Sequence, residues 1–423
     1  RCAAFWSQII MSSHATTLDS SASPSLNVSR FRNIPYILIG LGLVGGLIGL
    51  FINPKQFAFS YLLAYVFFFS LCAGSLFLVL IHHLFDAAWS APIRRFVEHQ
   101  ACLIFPTMGV LFIPVLALAP KLYNWMHIDP HTSRALYAKA ALLNKPMWYA
   151  LSIVVLVLLG FIAHRLRHWS LQQDKSGSAE CTYKMRFYSF IGIFIFAFAV
   201  TLGIMLWVKS LEYNWFSTMF GVYYFAESVW TTLATVYVIM LVLKKSGPLA
   251  QVITNRQIHD VGVLWFAFTV FYAYIHFSQY FIIWNANIPE ETFWYIKREG
   301  GTWFHLGVLI IFGHFFVPFL ALLRIDAKMT PAVTVSLAIW AWLMHYCDVS
   351  YNITPVLHPK GFVLHPLDLA CLAFIGGVLA LVWIKYFKAH PPYPQKDPRM
   401  QEALGLHHPQ ASEHSVAKYE GTR

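Results

Sequence analysis

Residues 57–81, FAFSYLLAYVFFFSLCAGSLFLVLI, form an uninterrupted apolar run without a charged side chain. A helix needs about 20 apolar residues to cross the hydrocarbon core of a bilayer, so this stretch predicts a membrane-spanning helix. Comparable runs recur along the rest of the chain. Working outward from 57–81, we predict ten spans, at residues 34–52, 57–81, 101–119, 147–163, 187–208, 222–243, 260–283, 303–323, 331–346 and 368–387.

The composition agrees with a membrane protein. Of the 423 residues, 58% are hydrophobic and only 12% are charged, whereas a soluble domain carries about 25% charged residues. The net charge is +11, and the basic residues that produce it lie in the short loops between apolar runs. We therefore interpret it as a determinant of membrane topology, not as a nucleic-acid-binding surface.

Loop charge predicts the orientation of the chain. Loops on the side of the N-terminus carry roughly twice as many Lys and Arg residues as loops on the other side, and basic loops stay in the cytoplasm. Both termini are therefore expected to be cytoplasmic. We predict an all-α integral membrane protein with about ten transmembrane helices in a bundle. Its parts would be a flexible cytoplasmic N-terminal tail (1–33), a polytopic membrane domain (34–387) and a cytoplasmic C-terminal tail (388–423).

Two segments depart from simple spans. After the second span, Ser90 and Pro92 suit the start of a helix, and apolar and charged residues then alternate at helical spacing. This pattern predicts a short helix in the cytoplasmic membrane interface, near residues 89–98. Within the third span, Pro106 and Pro114 predict an irregular helix.

No metal-binding motif is present in the sequence. The six cysteines form no CxxC or CxxCH motif, which excludes covalently attached c-type haem and argues against an iron–sulfur or zinc site. A b-type haem needs two ligands at matching depth on facing helices, whereas His82 and His83 are adjacent at one helix end. We expect this chain to carry no cofactor and no metal of its own.

Ionisable residues inside a membrane are costly, so each is a functional candidate. Here they concentrate in the half of the spans that faces away from the N-terminal side. They are Glu212, Glu227, His276, His305, His345, Asp348 and Asp368, with His314 near the middle of its span.

The seventh span carries the clearest polar stripe. Trp265, Thr269, Tyr272, His276 and Gln279 are separated by three or four residues, so they line one helical face. Such a face can conduct protons or hydrogen-bond a quinone carbonyl. The alternative is a polar seam that holds two helices together.

His314 and Glu227 are further candidates for a proton path. Pro318 removes the hydrogen bond to the carbonyl of His314 and favours a kink beside a mid-membrane imidazole. His305 lies on the opposite face of that helix, so we predict a separate, outer role for it. Glu227 is followed on its own face by Thr231. The alternative for these residues is hydrogen bonding between helices.

Four strings resemble one family of membrane proteins. They are SQYFIIWNANIPEETFWY (278–295), HFFVPF (314–319), WFSTMFGVY (215–223) and LLNKP (142–146). Together they resemble the NrfD/PsrC-like membrane subunits of alternative complex III, and within that family the ActF-like subunit. The resemblance runs from about the first span to the tenth.

The resemblance implies a subunit of a respiratory or photosynthetic quinol:electron-acceptor oxidoreductase in the bacterial cytoplasmic membrane. In such assemblies, electrons pass from quinol through iron–sulfur clusters to c-type haems, all held by partner subunits. The implied partners are a multihaem cytochrome c, an iron–sulfur subunit, a homologous NrfD-like subunit, small membrane subunits and lipids.

In that setting the chain contributes a quinone-proximal environment and a proton translocation path, without catalysis of its own. His276, His314, Glu227 and His305 are the expected proton-path residues, and Tyr272 and Gln279 are the expected quinone-side residues. Two alternatives stay open: a secondary transporter with a midplane site, or a purely structural anchor.

Overall fold

The computed structural model describes residues 33–405. Within that range the chain is helical, with short connections and no strand. Almost all of the predicted N-terminal tail and the last part of the C-terminal tail, 406–423, lie outside the described residues.

The α-helices are numbered in chain order. They are α1 (Ile34–Ile52), α2 (Pro54–Leu84), α3 (Ala91–Ala101), α4 (Thr107–Leu111), α5 (Ile113–Leu122), α6 (Arg134–Ala138), α7 (Lys145–Ser176), α8 (Ala179–Trp207), α9 (Phe220–Lys245), α10 (Asn255–Ala286), α11 (Pro289–Ile296), α12 (Gly301–Ile310), α13 (Val317–Leu323), α14 (Ile325–Met329), α15 (Pro331–Ile353), α16 (Pro366–Ala389) and α17 (Arg399–Ala403).

In the described part of the chain, nine helices are long and apolar enough to cross a membrane. They are α1, α2, α7, α8, α9, α10, the continuous segment Gly301–Leu323, the segment Pro331–Val356 and α16. This confirms a helical, multi-pass membrane protein. The helix at the ninth predicted span, placed at 331–346, continues to Ile353, because buried polar residues such as Asp348 and Ser350 extend it inside the protein.

The predicted third span is broken. The pair Ala91–Leu111 and Ile113–Leu122 bends by 58° and would count as a tenth span only if the pair is taken together. Pro106 precedes α4, and Pro114 lies in the first turn of α5. The expectation of an irregular helix is therefore confirmed.

Local sequence sets many of the helix ends. The side chain of Asn53 accepts a hydrogen bond from the backbone N–H of Gln56 at the start of α2. Thr254 and Gln257 form a capping box at the start of α10, which satisfies two backbone donors reciprocally. Gly177 ends α7 with φ of +67°, a left-handed conformation that glycine adopts without steric cost.

The interior of the bundle is built around α2. In its most apolar window, 89% of the residues are buried, compared with 22% in α1. α1 packs at the periphery, where a Cβ added to Gly42 would lie 2.4 Å from the backbone nitrogen of Phe374 on α16. Small residues of this kind let two helix backbones approach closely inside a membrane.

The helix expected near residues 89–98 exists as α3, but every one of its residues is buried. The side chains of Arg94 and Arg95 point into the protein, where both guanidinium groups form ion pairs with Glu98. α3 packs against α2, α7, α16 and α17. Its polar side chains therefore face protein partners.

The eighth span contains a π-helical turn, Ile311–Phe316, followed directly by Val317 and Pro318. Pro318 predicts a kink, and the structure has an irregularity at this place, the wider turn, within the span Gly301–Leu323. Trp340 Nε1 donates to the carbonyl of Gly313 at 2.7 Å. Single π-turns inside α-helices often occur at functional sites.

The segment after α16 folds back onto the protein. Asp397 is buried and accepts hydrogen bonds from Arg94 and Arg399, and Arg399 also reaches Asp86 at 3.0 Å. Up to residue 405, the predicted C-terminal tail is therefore held by ion pairs to α3 and to the loop after α2.

Candidate functional site

The centre of the site is Asp348, a fully buried carboxyl group on α15. Its Oδ2 accepts a hydrogen bond from the hydroxyl of Tyr272 at 2.9 Å, and its Oδ1 accepts one from the hydroxyl of Tyr223. Tyr272 comes from α10 and Tyr223 from α9. The carboxyl group thus ties three spans together through two phenols.

A second buried carboxyl group lies on α9. Glu227 Oε1 is 2.5 Å from Nδ1 of His345, and Nε2 of that imidazole is 2.7 Å from the hydroxyl of Ser70 on α2. All three side chains are buried. His345 therefore bridges an acid and a hydroxyl group in the interior.

His314 sits between the two carboxyl groups. One ligand atom each of Glu227, His314 and Asp348 lies within 4.8 Å of the others. The imidazole is stacked between the ring of Trp230, 3.9 Å away by centroid, and the ring of Tyr272, 3.7 Å away. Within residues 33–405, neither of its ring nitrogens has a hydrogen-bond partner. Stacking thus fixes the ring beside the two carboxyl groups without a hydrogen bond to either of them.

The predicted stripe on α10 faces this cluster. Thr269 accepts a hydrogen bond from Trp230 Nε1 at 2.9 Å and so holds one of the rings that enclose His314. His276 stacks parallel to Tyr272, with ring centroids 5.8 Å apart. The stripe is therefore both a packing seam and one wall of the site.

Gln279 lies further along the same face. It accepts a hydrogen bond from Ser217 at 2.8 Å and donates one to the hydroxyl of Tyr295 at 3.2 Å. These contacts attach α10 to the loop before α9 and to α11. Gln279 is thus separated from the carboxyl pair by His276.

His305 stands apart from the other predicted residues. It is exposed, and its ring contacts the neighbouring Phe304 on the outer face of α12. His314, nine positions later in the same span, is buried. The two histidines therefore do not share a site, as their spacing predicted, and an outer proton-path role for His305 stays a prediction.

A cavity of about 490 Å³ opens beside the cluster, between α10 and the eighth span. Tyr272 and His276 form its inner wall, and the exposed apolar side chains of Phe277, Phe304 and Phe316 lie at its rim. Small-molecule sites commonly enclose about 300–1,000 Å³, with mostly apolar walls and a few polar groups. The cavity thus presents an apolar rim and two polar side chains, of which Tyr272 is hydrogen-bonded to the buried Asp348.

The other end of the cavity is held by a buried ion pair. Arg298 Nη2 contacts Glu212 Oε2 at 3.0 Å and the guanidinium stacks 3.6 Å above the ring of Trp294. Lys297 contacts the other oxygen of Glu212 at 2.7 Å. Burial acts to raise the pKa of Glu212, but the two cations outweigh it and hold the pKa below its ordinary value. Glu212 is therefore ionised at neutral pH and anchors α11.

Asp348 and His345 were among the ionisable candidates of the spans, but neither they nor Tyr223 were placed in the expected proton path or on the expected quinone side. His345 and Asp348 are three residues apart, so they share a helix face, and both are ionisable residues of the kind that is costly within a membrane. That spacing was the available signal. Tyr223 carried no comparable signal, because aromatic residues are frequent throughout the chain.

Comparisons with known proteins identify no relative. No protein-family model matches the chain, and no curated protein matches its sequence. The arrangement of the side chains therefore carries the functional argument.

Proposed function

We propose that this chain is a membrane subunit of a quinol:electron-acceptor oxidoreductase of the alternative complex III type. In this role it receives the quinol head group in the cavity beside Tyr272 and His276 and accepts protons through the buried acids. The single observation that carries the proposal is this cavity, which has an apolar rim and is lined by Tyr272, the phenol that donates a hydrogen bond to the buried Asp348.

The chemistry of a quinol suits both parts of the cavity. Its isoprenoid chain is apolar and fits a rim of exposed phenylalanines. Its ring hydroxyl groups require hydrogen-bond partners, which the phenol of Tyr272 and the imidazole of His276 supply at the inner wall. A polar solute would leave the apolar rim unused.

Quinol oxidation releases two protons and two electrons, and the proposal assigns each a destination. The electrons pass to an iron–sulfur cluster or c-type haem of a partner subunit. One proton passes through Tyr272, which takes it from a ring hydroxyl and gives its own phenol proton to Asp348, whose carboxyl group accepts the hydrogen bond of that phenol. The second proton is taken up by the imidazole of His276 at the cavity wall. His314 and the Glu227–His345 pair continue the route from there.

The proposal includes a topology and a set of partners. Counting the bent pair as one span makes ten spans, with both termini in the bacterial cytoplasm and α3 at the cytoplasmic boundary of the membrane. The partners would be a multihaem cytochrome c, an iron–sulfur subunit, a homologous NrfD-like subunit and small membrane subunits. The excess of Lys and Arg on one side of the spans supports this orientation.

Purification from native membranes in a mild detergent tests the proposal. We expect the chain to copurify with haem c and iron–sulfur subunits, and the complex to oxidise quinol. His276→Leu should weaken binding of a photoreactive quinone, whereas His305→Leu, a matched change on the outer face of the neighbouring helix, should leave it intact. A chain that purifies alone and binds no quinone would refute the proposal.

One observation favours a second candidate, a secondary transporter coupled to protons or cations. In secondary transporters, groups that bind a cation converge near the middle of the membrane. The interior of this protein holds such a group of side chains, formed by Glu227, His314 and Asp348. Reconstituted vesicles separate the two functions. Substrate uptake driven by an ion gradient, without copurifying redox subunits, would support the transporter and exclude the quinol subunit.

A further inference from the structure

Arg167 is a buried cation without a countercharge in the described part of the chain. It lies on α7 with 8% of its surface exposed. Its guanidinium contacts Nε2 of His390 at 3.1 Å and lies over the ring of Tyr386 at 4.2 Å, and its Nε has no partner. Within residues 33–405, no carboxylate forms a salt bridge with it.

The other buried arginines are all paired with carboxylates. Arg94 contacts Glu98 and Asp397, Arg95 contacts Glu98 and Asp174, Arg399 contacts Asp397 and Asp86, and Arg298 contacts Glu212. Removing a charge from water costs several kcal/mol unless a partner compensates for it. Arg167 is therefore the one exception among the buried arginines of residues 33–405.

A second unpartnered group lies beside it. His99, on α3, is fully buried, and neither of its ring nitrogens has a hydrogen-bond partner within residues 33–405. Its ring lies 5.6 Å from the ring of His390 and 6.2 Å from that of Tyr386, the same two residues that contact Arg167. One buried guanidinium and two imidazoles thus converge from α3, α7 and the end of α16.

We propose that Arg167, His99 and His390 form a site for a phosphate group, occupied by the head group of an anionic membrane lipid. Phosphate oxygens accept the forked hydrogen bonds of a guanidinium and add the negative charge that the site lacks. The inference is independent of the proposed function, since it concerns the opposite end of the spans from the quinol cavity.

The surroundings favour a lipid over a free anion. Phe105 is exposed and packs directly on Gly160 of α7, about 10 Å deeper along the helix than Arg167. An acyl chain would therefore meet apolar surface below the phosphate. Lys385 and Lys388 are exposed on the last turns of α16, and basic pockets between helix ends are typical sites for anionic lipid head groups.

The test uses the full chain, purified in detergent, with phosphatidylglycerol, phosphatidylcholine or inorganic phosphate as probes. Native mass spectrometry counts the retained lipids, and thermal unfolding measures stabilisation by each probe. Arg165→Gln is the matched control. Arg165 lies two positions away on the same helix and donates to the hydroxyl of Tyr188 on α8.

We expect phosphatidylglycerol to stabilise the wild type and the Arg165→Gln variant, and Arg167→Gln to weaken its binding by about tenfold or more. His390→Ala, at a half-buried position, should weaken phosphatidylglycerol binding as well. This variant tests the site even if Arg167→Gln fails to fold. Equal stabilisation by phosphatidylcholine, or by inorganic phosphate alone, would overturn the anionic-lipid assignment. Equal binding by Arg167→Gln and the wild type would overturn the site.

Discussion

His345 Nδ1 lies 2.5 Å from Glu227 Oε1 and joins α15 to α9 in the interior of the bundle. The other ring nitrogen of the same histidine reaches Ser70 on α2. One imidazole therefore connects three spans. A buried pair of this kind is strongly coupled, since the loss of either partner leaves the other polar group unsatisfied in a dry interior.

We predict that Glu227→Ala and His345→Ala each lower the free energy of unfolding by about 3–5 kcal/mol. Because both changes remove the same contact, the double variant should lose clearly less than the sum of the two. Unfolding of all four proteins in mild detergent measures the coupling. Costs that add to within about 0.5 kcal/mol would mean that the two residues are independent.

Replacing Asp348 by asparagine should slow quinol oxidation. The carboxyl group accepts the hydrogen bond of Tyr272, and an amide in its place has no basic oxygen to take up a proton. Loss of a general base typically costs about 10²–10⁴-fold in rate, so we expect a decrease of about a hundredfold in the assembled complex. Asp326→Asn, at an exposed position, is the control. Unchanged turnover by Asp348→Asn with intact assembly would remove Asp348 from the proton route.

Filling the cavity should raise the KM for quinol. Val308 lines the cavity and is 36% exposed, while Val333 on α15 is 39% exposed and lies outside the cavity lining. We expect Val308→Trp to block entry of the head group and Val333→Trp to have no effect on KM. Steady-state kinetics with a soluble quinol analogue measures the difference. Equal KM values for the two variants would place the quinol elsewhere.

The C-terminal segment should loosen in acid. Burial acts to raise the pKa of Asp397, but Arg94 and Arg399 outweigh it and hold the pKa below its ordinary value. A lowered pKa of this kind stabilises the fold above the ordinary aspartate pKa of about 3.9, and the contribution is lost progressively as the pH falls from that value through the lower pKa of the folded state.

Thermal unfolding of the wild type and Asp397→Asn between neutral pH and about pH 3 tests this expectation. The variant should be less stable at neutral pH, and the difference between the two proteins should shrink in acid. A difference that stays constant with pH would show that the ion pairs of Asp397 do not contribute to stability.

Some features of the site were predictable from one helix at a time. The spacing on α10 places Tyr272 and His276 on the same face, and the structure turns that face toward the acids. The spacing between His305 and His314 likewise separates an exposed histidine from a buried one. These are properties of helical periodicity, which any single span expresses without its neighbours.

The partners of these residues were not predictable in the same way. Asp348 meets Tyr223 and Tyr272 only because α9, α10 and α15 pack side by side, and nothing in the three segments specifies that neighbourhood. The helix α3 reads as amphipathic and interfacial, yet its charged face is buried because Asp397 and Asp174 supply countercharges from distant parts of the chain.

The sequence by itself determined that this is a helical membrane protein. The length and apolar character of each run decide whether it can cross a membrane, and both are local properties of the sequence. It also determined the polar face of α10. The tertiary structure alone decided that Glu227, His314 and Asp348 converge, that a cavity lies beside them at Tyr272, and that Arg167 has no countercharge among residues 33–405. These outcomes depend on how closely the helices approach one another. Close-packed contacts, such as that of Gly42 with α16, set this distance.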